Sequence, residues 1–172
     1  MEELERLIRE YGKDIYSFCL YLTGNRELAD DLYQQTFLVA IEKGEIDSGL
    51  NPKSYLLSVA VNIRNNQRRR SLFRLKKTVT SSDEDYDLIE NMSDGRPSAE
   101  EEIIRNERNT KIRTEVGKLP EKLRQVVIMF YTEDLSITEI SKVLKISEGT
   151  VKSRLHNAKK KLKERLIDYE TN

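Results

Sequence analysis

At 172 residues, the chain has room for one domain or two small ones. With 35% charged residues, 37% hydrophobic residues, no tryptophan and only 3 prolines, it suits small helical bundles better than a large β core. One cysteine, Cys19, excludes an internal disulfide and a multi-cysteine zinc site.

No apolar run reaches the roughly 18 residues a membrane span needs, and the start MEELERLIREYG is acidic and amphipathic, unlike a signal peptide. The expected location is the cytoplasm. The formal net charge of zero conceals segregation. Residues 51–76 carry seven Lys/Arg and no acid, residues 77–102 nine acids against two bases, and residues 150–165 seven bases and one acid. Two cationic patches separated by an anionic stretch fit a chain that touches a polyanion at two places.

In chain order, Leu4, Leu7, Ile8, Tyr11 and Ile15 space a first helix, continued after Gly12 by Tyr16, Phe18, Leu20 and Leu22 and stopped at Thr23-Gly24-Asn25. Glu27 to Glu42 is a second helix, with Leu28, Leu32, Phe37, Leu38 and Ile41 expected inward and Asp30, Asp31, Gln34 and Gln35 outside. Gly44 to Asn51 is a loop. Asn51 suits an N-cap and Pro52 a first helical position, opening a third helix to about Arg70 that buries Tyr55, Leu56, Val59, Ala60 and Ile63. Thr78 to Pro97 is polar, acidic and aperiodic, as a linker is. Ser98-Ala99-Glu100-Glu101 is a capping box for a helix to about Lys118; after the break Leu119-Pro120, Glu121 to about Tyr131 is helical again.

Residues 136–165, SITEISKVLKISEGTVKSRLHNAKKKLKER, read as a helix-turn-helix ending in a basic helix. Ser136 and Glu139 form a second capping box. Ile137, Ile140, Val143 and Leu144 give the first helix one apolar face, and Ser147 can cap the second. Val151, Leu155 and Leu162 point one way, whereas Lys152, Ser153, His156, Asn157, Lys159 and Lys160 mostly point elsewhere. Such a helix docks by its apolar stripe and lays its polar side in a DNA major groove. With no strand pattern and no internal repeat, the fold class is all-α, in two small helical domains: 1–76, an acidic flexible linker 77–102, and 103–172.

The stretch ELADDLYQQTFLVAIEK (27–43), the Pro-initiated helix SYLLSVAVNIRNNQRRR (54–70) and LPEKLRQVVIMFYTEDLSITEISKVLKISEGTVKSRLHNAKKKL (119–162), in this order, closely resemble the extracytoplasmic-function sigma factors of bacterial RNA polymerase. The family's D-x-x-Q-x-x-F falls on Asp31, Gln34 and Phe37, and its G-T-V-K-S-R-L on residues 149–155. The resemblance implies a region 2 domain that binds core polymerase and the −10 element, and a region 4 domain that binds the −35 element. Core polymerase would be gripped at the clamp helices of the largest subunit through Asp30, Asp31, Gln34 and Gln35, and at the flap of the second largest. It also implies −35 contacts by Lys152, Ser153, Arg154, His156, Asn157, Lys159 and Lys160, with Arg154, Lys159 and Lys160 nearer phosphates. Side chains such as Asn and Lys suit base edges, since Asn reads adenine bidentately and Lys donates to guanine. On the −10 side it implies Lys53, Ser54, Asn62, Arg64, Arg68 and Arg69, followed by Arg70. There Asn62 and the loop 43–51 meet an unstacked base and the arginines follow the backbone.

The resemblance further implies an anti-sigma factor as partner, no cofactor, no metal, no small-molecule substrate, a monomer when free, and two domains flexibly related in solution. Four residues depart from the family pattern: Tyr55 stands where tryptophan is usual, Lys145 where the turn usually has glycine, a position often calling for positive φ, and His156 and Asn157 where an Arg-rich composition is common. A freestanding helix-turn-helix regulator would account for residues 136–165 but not for the 27–70 pattern. An anti-sigma antagonist would account for acidic helices but not for two basic surfaces. Enzyme chemistry has little to stand on. The sole histidine, His156, lies on a basic helix, Cys19 lies in an apolar segment, no Gly-rich phosphate loop occurs, and the adjacent Asp30 and Asp31 point about 100° apart on a helix.

Overall fold

The computed structural model describes residues 2–44, 50–75 and 110–170, and no strand occurs among them. The acidic linker 77–102, the capping box at Ser98 and the middle of the loop 43–51 lie outside the described residues.

Helix α1 (Glu2–Thr23) runs unbroken through Gly12. A Cβ on Gly12 would stand 2.9 Å from the Tyr33 hydroxyl of the next helix, so this glycine serves a close approach between helices rather than a break. Ile15, Phe18, Cys19 and Leu22 are fully buried. Burial pushes the Cys19 thiol up to about 12, which leaves it a small apolar packing group.

In α2 (Arg26–Lys43), Asn25 caps the N-terminus by accepting the Leu28 N–H at 3.0 Å, and Gly44, at φ 58°, closes the C-terminus by donating to the Ile41 carbonyl. Its buried stripe is Ala29, Leu32, Thr36, Phe37 and Ala40. Leu28, Leu38 and Ile41, expected inward from their apolarity, are exposed, Leu38 by 60%. Small residues hold the seam: Ala29, Thr36 and Ala40 let α2 approach its neighbours closely, and Thr36 returns its hydroxyl to the Leu32 carbonyl at 2.7 Å. The longer aliphatic side chains are left on the outer face.

Helix α3 (Pro52–Leu75) starts as its sequence dictates, with the Asn51 side chain accepting the Ser54 N–H at 2.8 Å. It buries Tyr55, Leu56, Leu57, Val59, Ala60 and Val61, then continues past Arg70, where neither Gly nor Pro stops it, as an exposed stalk bearing Leu72 and Phe73.

Residues 110–117 form α4, and α5 (Glu121–Tyr131) buries Val126, Val127, Ile128 and Met129. Helix α6 (Ile137–Leu144) has the full capping box: Glu139 N–H donates to Ser136 Oγ at 3.1 Å, and Ser136 N–H donates to Glu139 Oε2 at 2.8 Å. That bond holds the Glu139 carboxyl below its ordinary value. Lys145 then adopts φ 54°, ψ 46°, the left-handed turn that its place between the helices demands. Ser147 caps α7 (Glu148–Glu170) by accepting the Thr150 N–H at 3.1 Å, and Thr138 ties the two helices by donating to Glu148 at 2.8 Å.

The two groups of helices are packed on each other, α1 against α5 and α3 against α6, and their buried apolar side chains form one continuous cluster. The Arg113 guanidinium lies 5.9 Å from the Tyr21 ring centroid across this seam. In this structure the two groups thus share a defined interface, whereas the family pattern implies a flexible relation in solution.

Candidate nucleic-acid interface

Val151, Leu155 and Ala158 seat α7 in the core, with Leu162 partly buried behind them. Their spacing turns Lys152, Ser153, His156, Asn157 and Lys160 to the other side, and all five are exposed. Because α6 holds the start of α7 through Thr138–Glu148, this face is a rigid, unencumbered ridge of donors and acceptors of the size a major groove admits. Arg154 is half-buried at one edge. Lys159 lies at the other edge, with its ammonium 5.7 Å from the Tyr131 ring centroid, so it borders the ridge rather than crowning it.

The basic side of α3 is arranged differently. Asn62 is exposed and borders a cleft of about 480 Å³ lined by Lys43, Leu50, Tyr55, Ser58 and Val59 from the first group of helices and by Lys142 and Lys145 from the second. Ser54 is buried to 1% exposure and Arg64 to 6%, so neither side chain reaches the surface in this arrangement. Ser54 belongs to the first turn of α3, and Arg64 faces Glu121 of α5. Arg69 and Arg70 remain exposed on the stalk.

Lys53 and Arg68 are engaged. The Lys53 ammonium sits 2.9 Å from both Asp14 of its own group and Glu133 of the other. Burial works to lower its pKa, but the hydrogen bonds to Glu133 and Asp14 outweigh it and hold the ammonium above its ordinary value. Glu133, 5% exposed, is raised by burial against the pull of Lys53. At the far end of α3, Arg68 lies 2.7 Å from Glu121, with Arg64 at 3.9 Å from the same oxygen, and Gln125 donates to Asn65 Oδ1 at 3.1 Å.

On α2 the four polar candidates do not share one role. Asp31 and Gln34 are exposed, Gln35 donates to Asp31 at 2.9 Å, and Asp30 accepts the Tyr16 hydroxyl at 2.7 Å, which turns it toward α1. Asp31, Gln34, Leu38 and Ile41 follow helical spacing along the outer face, so a polar and apolar stripe is open there. Sequence periodicity missed Leu38 and Ile41 as surface residues because a leucine and an isoleucine at core spacing read as core. It also missed Glu121, Gln125 and Glu133, since an acid at a helix start, an amide within the helix and an acid just past its end carry no mark of a distant partner.

A model of sigma-70 region 2 matches residues 7–72, and one of sigma-70 region 4 matches residues 110–162. The chain is 27% identical over 161 residues to the ECF RNA polymerase sigma factor SigW of Bacillus subtilis, covering 92% of this chain and 86% of that protein. It is 28% identical over 160 residues to SigM of the same organism, covering 93% of each. Its fold matches that of the sigma factor RpoE, solved with the anti-sigma factor NepR from Bartonella quintana, with a TM-score of 0.77 at 17% identity over 97% of this chain and 98% of that one. CnrH, solved with the cytosolic domain of CnrY, gives 0.59 at 21% identity, covering 96% of this chain and 88% of that one. Two sigma-70 regions in their family order, carried on nearly the full length of such relatives, mean that this chain belongs to the sigma-70 family and is an RNA polymerase sigma factor of the extracytoplasmic-function type.

Proposed function

We propose that residues 1–76 and 103–172 act as the two DNA-reading domains of this sigma factor, joined by the acidic linker 77–102. Lys152, Ser153, His156 and Asn157 read base edges of a duplex −35 element, while Arg154, Lys159 and Lys160 follow its phosphates. Asn62 and the cleft beside Tyr55 and Ser58 hold a base of the melted −10 strand, and Arg68 and Arg69 supply salt-sensitive backbone affinity. Asp31, Gln34 and the neighbouring Leu38 and Ile41 dock on the clamp helices of core polymerase. The work is binding: DNA opens because captured bases stabilise the melted state, with no covalent step. An anti-sigma factor, the kind of partner with which RpoE was solved, is the expected antagonist, and the chain works in the cytoplasm as a monomer when free.

The observation that carries this is the bare polar ridge of α7, where Lys152, Ser153, His156, Asn157 and Lys160 are exposed opposite a seated apolar stripe. Transcription in vitro with purified core polymerase tests it. The chain should direct initiation from a promoter in its own host's regulatory DNA. Tight duplex binding without any initiation would overturn these domain roles.

A further inference from the structure

The polar contacts that α3 makes across the seam engage Lys53, Arg64 and Arg68, all assigned to the −10 strand, together with the neighbouring Asn65. Lys53 is held by Glu133, Arg68 and Arg64 face Glu121, and Asn65 accepts from Gln125. The cleft at Asn62 is walled by Lys142 and Lys145 of the helix-turn-helix. Glu121, Gln125 and Glu133 are each no more than 5% exposed. The −35 ridge, by contrast, lies wholly outside the seam.

We propose that Glu121, Gln125 and Glu133 form a latch that closes region 4 onto region 2, so that the free chain keeps its −10 face shut while its −35 face stays open. The carboxylates stand where backbone phosphates of a −10 strand would otherwise lie against Lys53 and Arg68, so strand and latch compete for the same cations. A buried ion pair gains little net free energy, because desolvation offsets most of the attraction. The latch is therefore releasable by a partner that offers the two domains larger separate surfaces. The exposed stripe of Asp31, Gln34 and Leu38 on α2 remains open for such a partner while the latch is shut. The masking rests on the assignment of Lys53, Asn62 and Arg68 to the −10 strand; the latch itself does not.

The test is the double variant Glu121→Gln/Glu133→Gln in the full chain, with Glu2→Gln/Glu3→Gln as a control of equal charge change on exposed residues. Small-angle scattering reads compactness. Anisotropy reads binding to a labelled single strand spanning the −10 region upstream of the chain's own coding sequence, and to the −35 duplex from the same site. The latch variant should be more expanded than wild type and should bind the single strand about tenfold more tightly, the gain expected if the open form is about a tenth of the free population. Its −35 affinity should match that of the control. Circular dichroism verifies that helix content is unchanged, and should it fall, the shorter-reach double variant Glu121→Asp/Glu133→Asp, which weakens both grips at constant charge, is measured in the same way. Unchanged compactness overturns the latch. Expansion without tighter single-strand binding overturns the −10 assignment and with it the masking, and equal tightening in the control reduces the effect to net charge.

Discussion

Glu139→Ala removes one half of a reciprocal cap, and the structure fixes both its size and its pH dependence. The lost interaction is a 2.8 Å charge-assisted hydrogen bond from the Ser136 N–H, at the positive end of α6. The Ser136 hydroxyl still accepts the Glu139 N–H, so only part of the cap is lost, and about 1 kcal/mol is expected at pH 7. For a chain of this size that shifts Tm by roughly 2–4 °C. The folded carboxyl is held below its ordinary value of 4.5. Its contribution is therefore complete above the unfolded pKa and is lost as pH falls through the folded one. Melts of wild type and variant, followed by circular dichroism from pH 7 down to about 3, should converge as the wild type gives up its advantage below pH 4.5. A Tm difference that stays constant across that range would refute the assignment to the ionised carboxylate.

Other expectations follow from the helix seams and the open faces. Gly12→Ala should destabilise despite a gain of about 1 kcal/mol in helix propensity, because its Cβ meets the Tyr33 hydroxyl at 2.9 Å and that ring is held edge-on between Tyr16 and Phe37. In a Tyr33→Phe background the same change should become stabilising, and urea melts of the four-member cycle report this non-additivity. Leu38→Asp, at a position 60% exposed, should leave stability within about 0.5 kcal/mol yet weaken core polymerase binding at least tenfold in a fluorescence titration. Asn157→Ala should cost about 1–3 kcal/mol on one −35 sequence and relax preference at a single position, measured by binding to a set of single-base variants.

Where local chemistry decides, the sequence was sufficient. Asn51-Pro52, the Ser136–Glu139 box, Ser147 and the positive φ at Lys145 each depend on residues within one turn, and the structure has all of them. The α7 ridge was legible for a related reason, since Val151, Leu155 and Ala158 fix its rotation. Periodicity failed on α2, where apolar residues occupy both faces and only the small side chains at Ala29, Thr36 and Ala40 mark the packed one. It could not reveal that Lys53 and Arg68 meet Glu133 and Glu121, since nothing local distinguishes a lysine awaiting phosphate from one held by a carboxylate 80 residues away in the chain (133 − 53).

Helix α3 gives the seam a mechanical character. Lys53 and Arg68 lie fifteen residues apart on one continuous helix (68 − 53), about 22 Å along its axis, and each is gripped by the same opposing domain. A rigid rod held at both ends behaves as a chelate. If one grip slips, the other keeps the freed groups at high effective concentration, and they re-form faster than a competitor can enter. Piecemeal loosening then achieves little, and the domains separate when both grips fail together. The unit of control is the whole rod, and its response to a competing surface should be steep rather than graded.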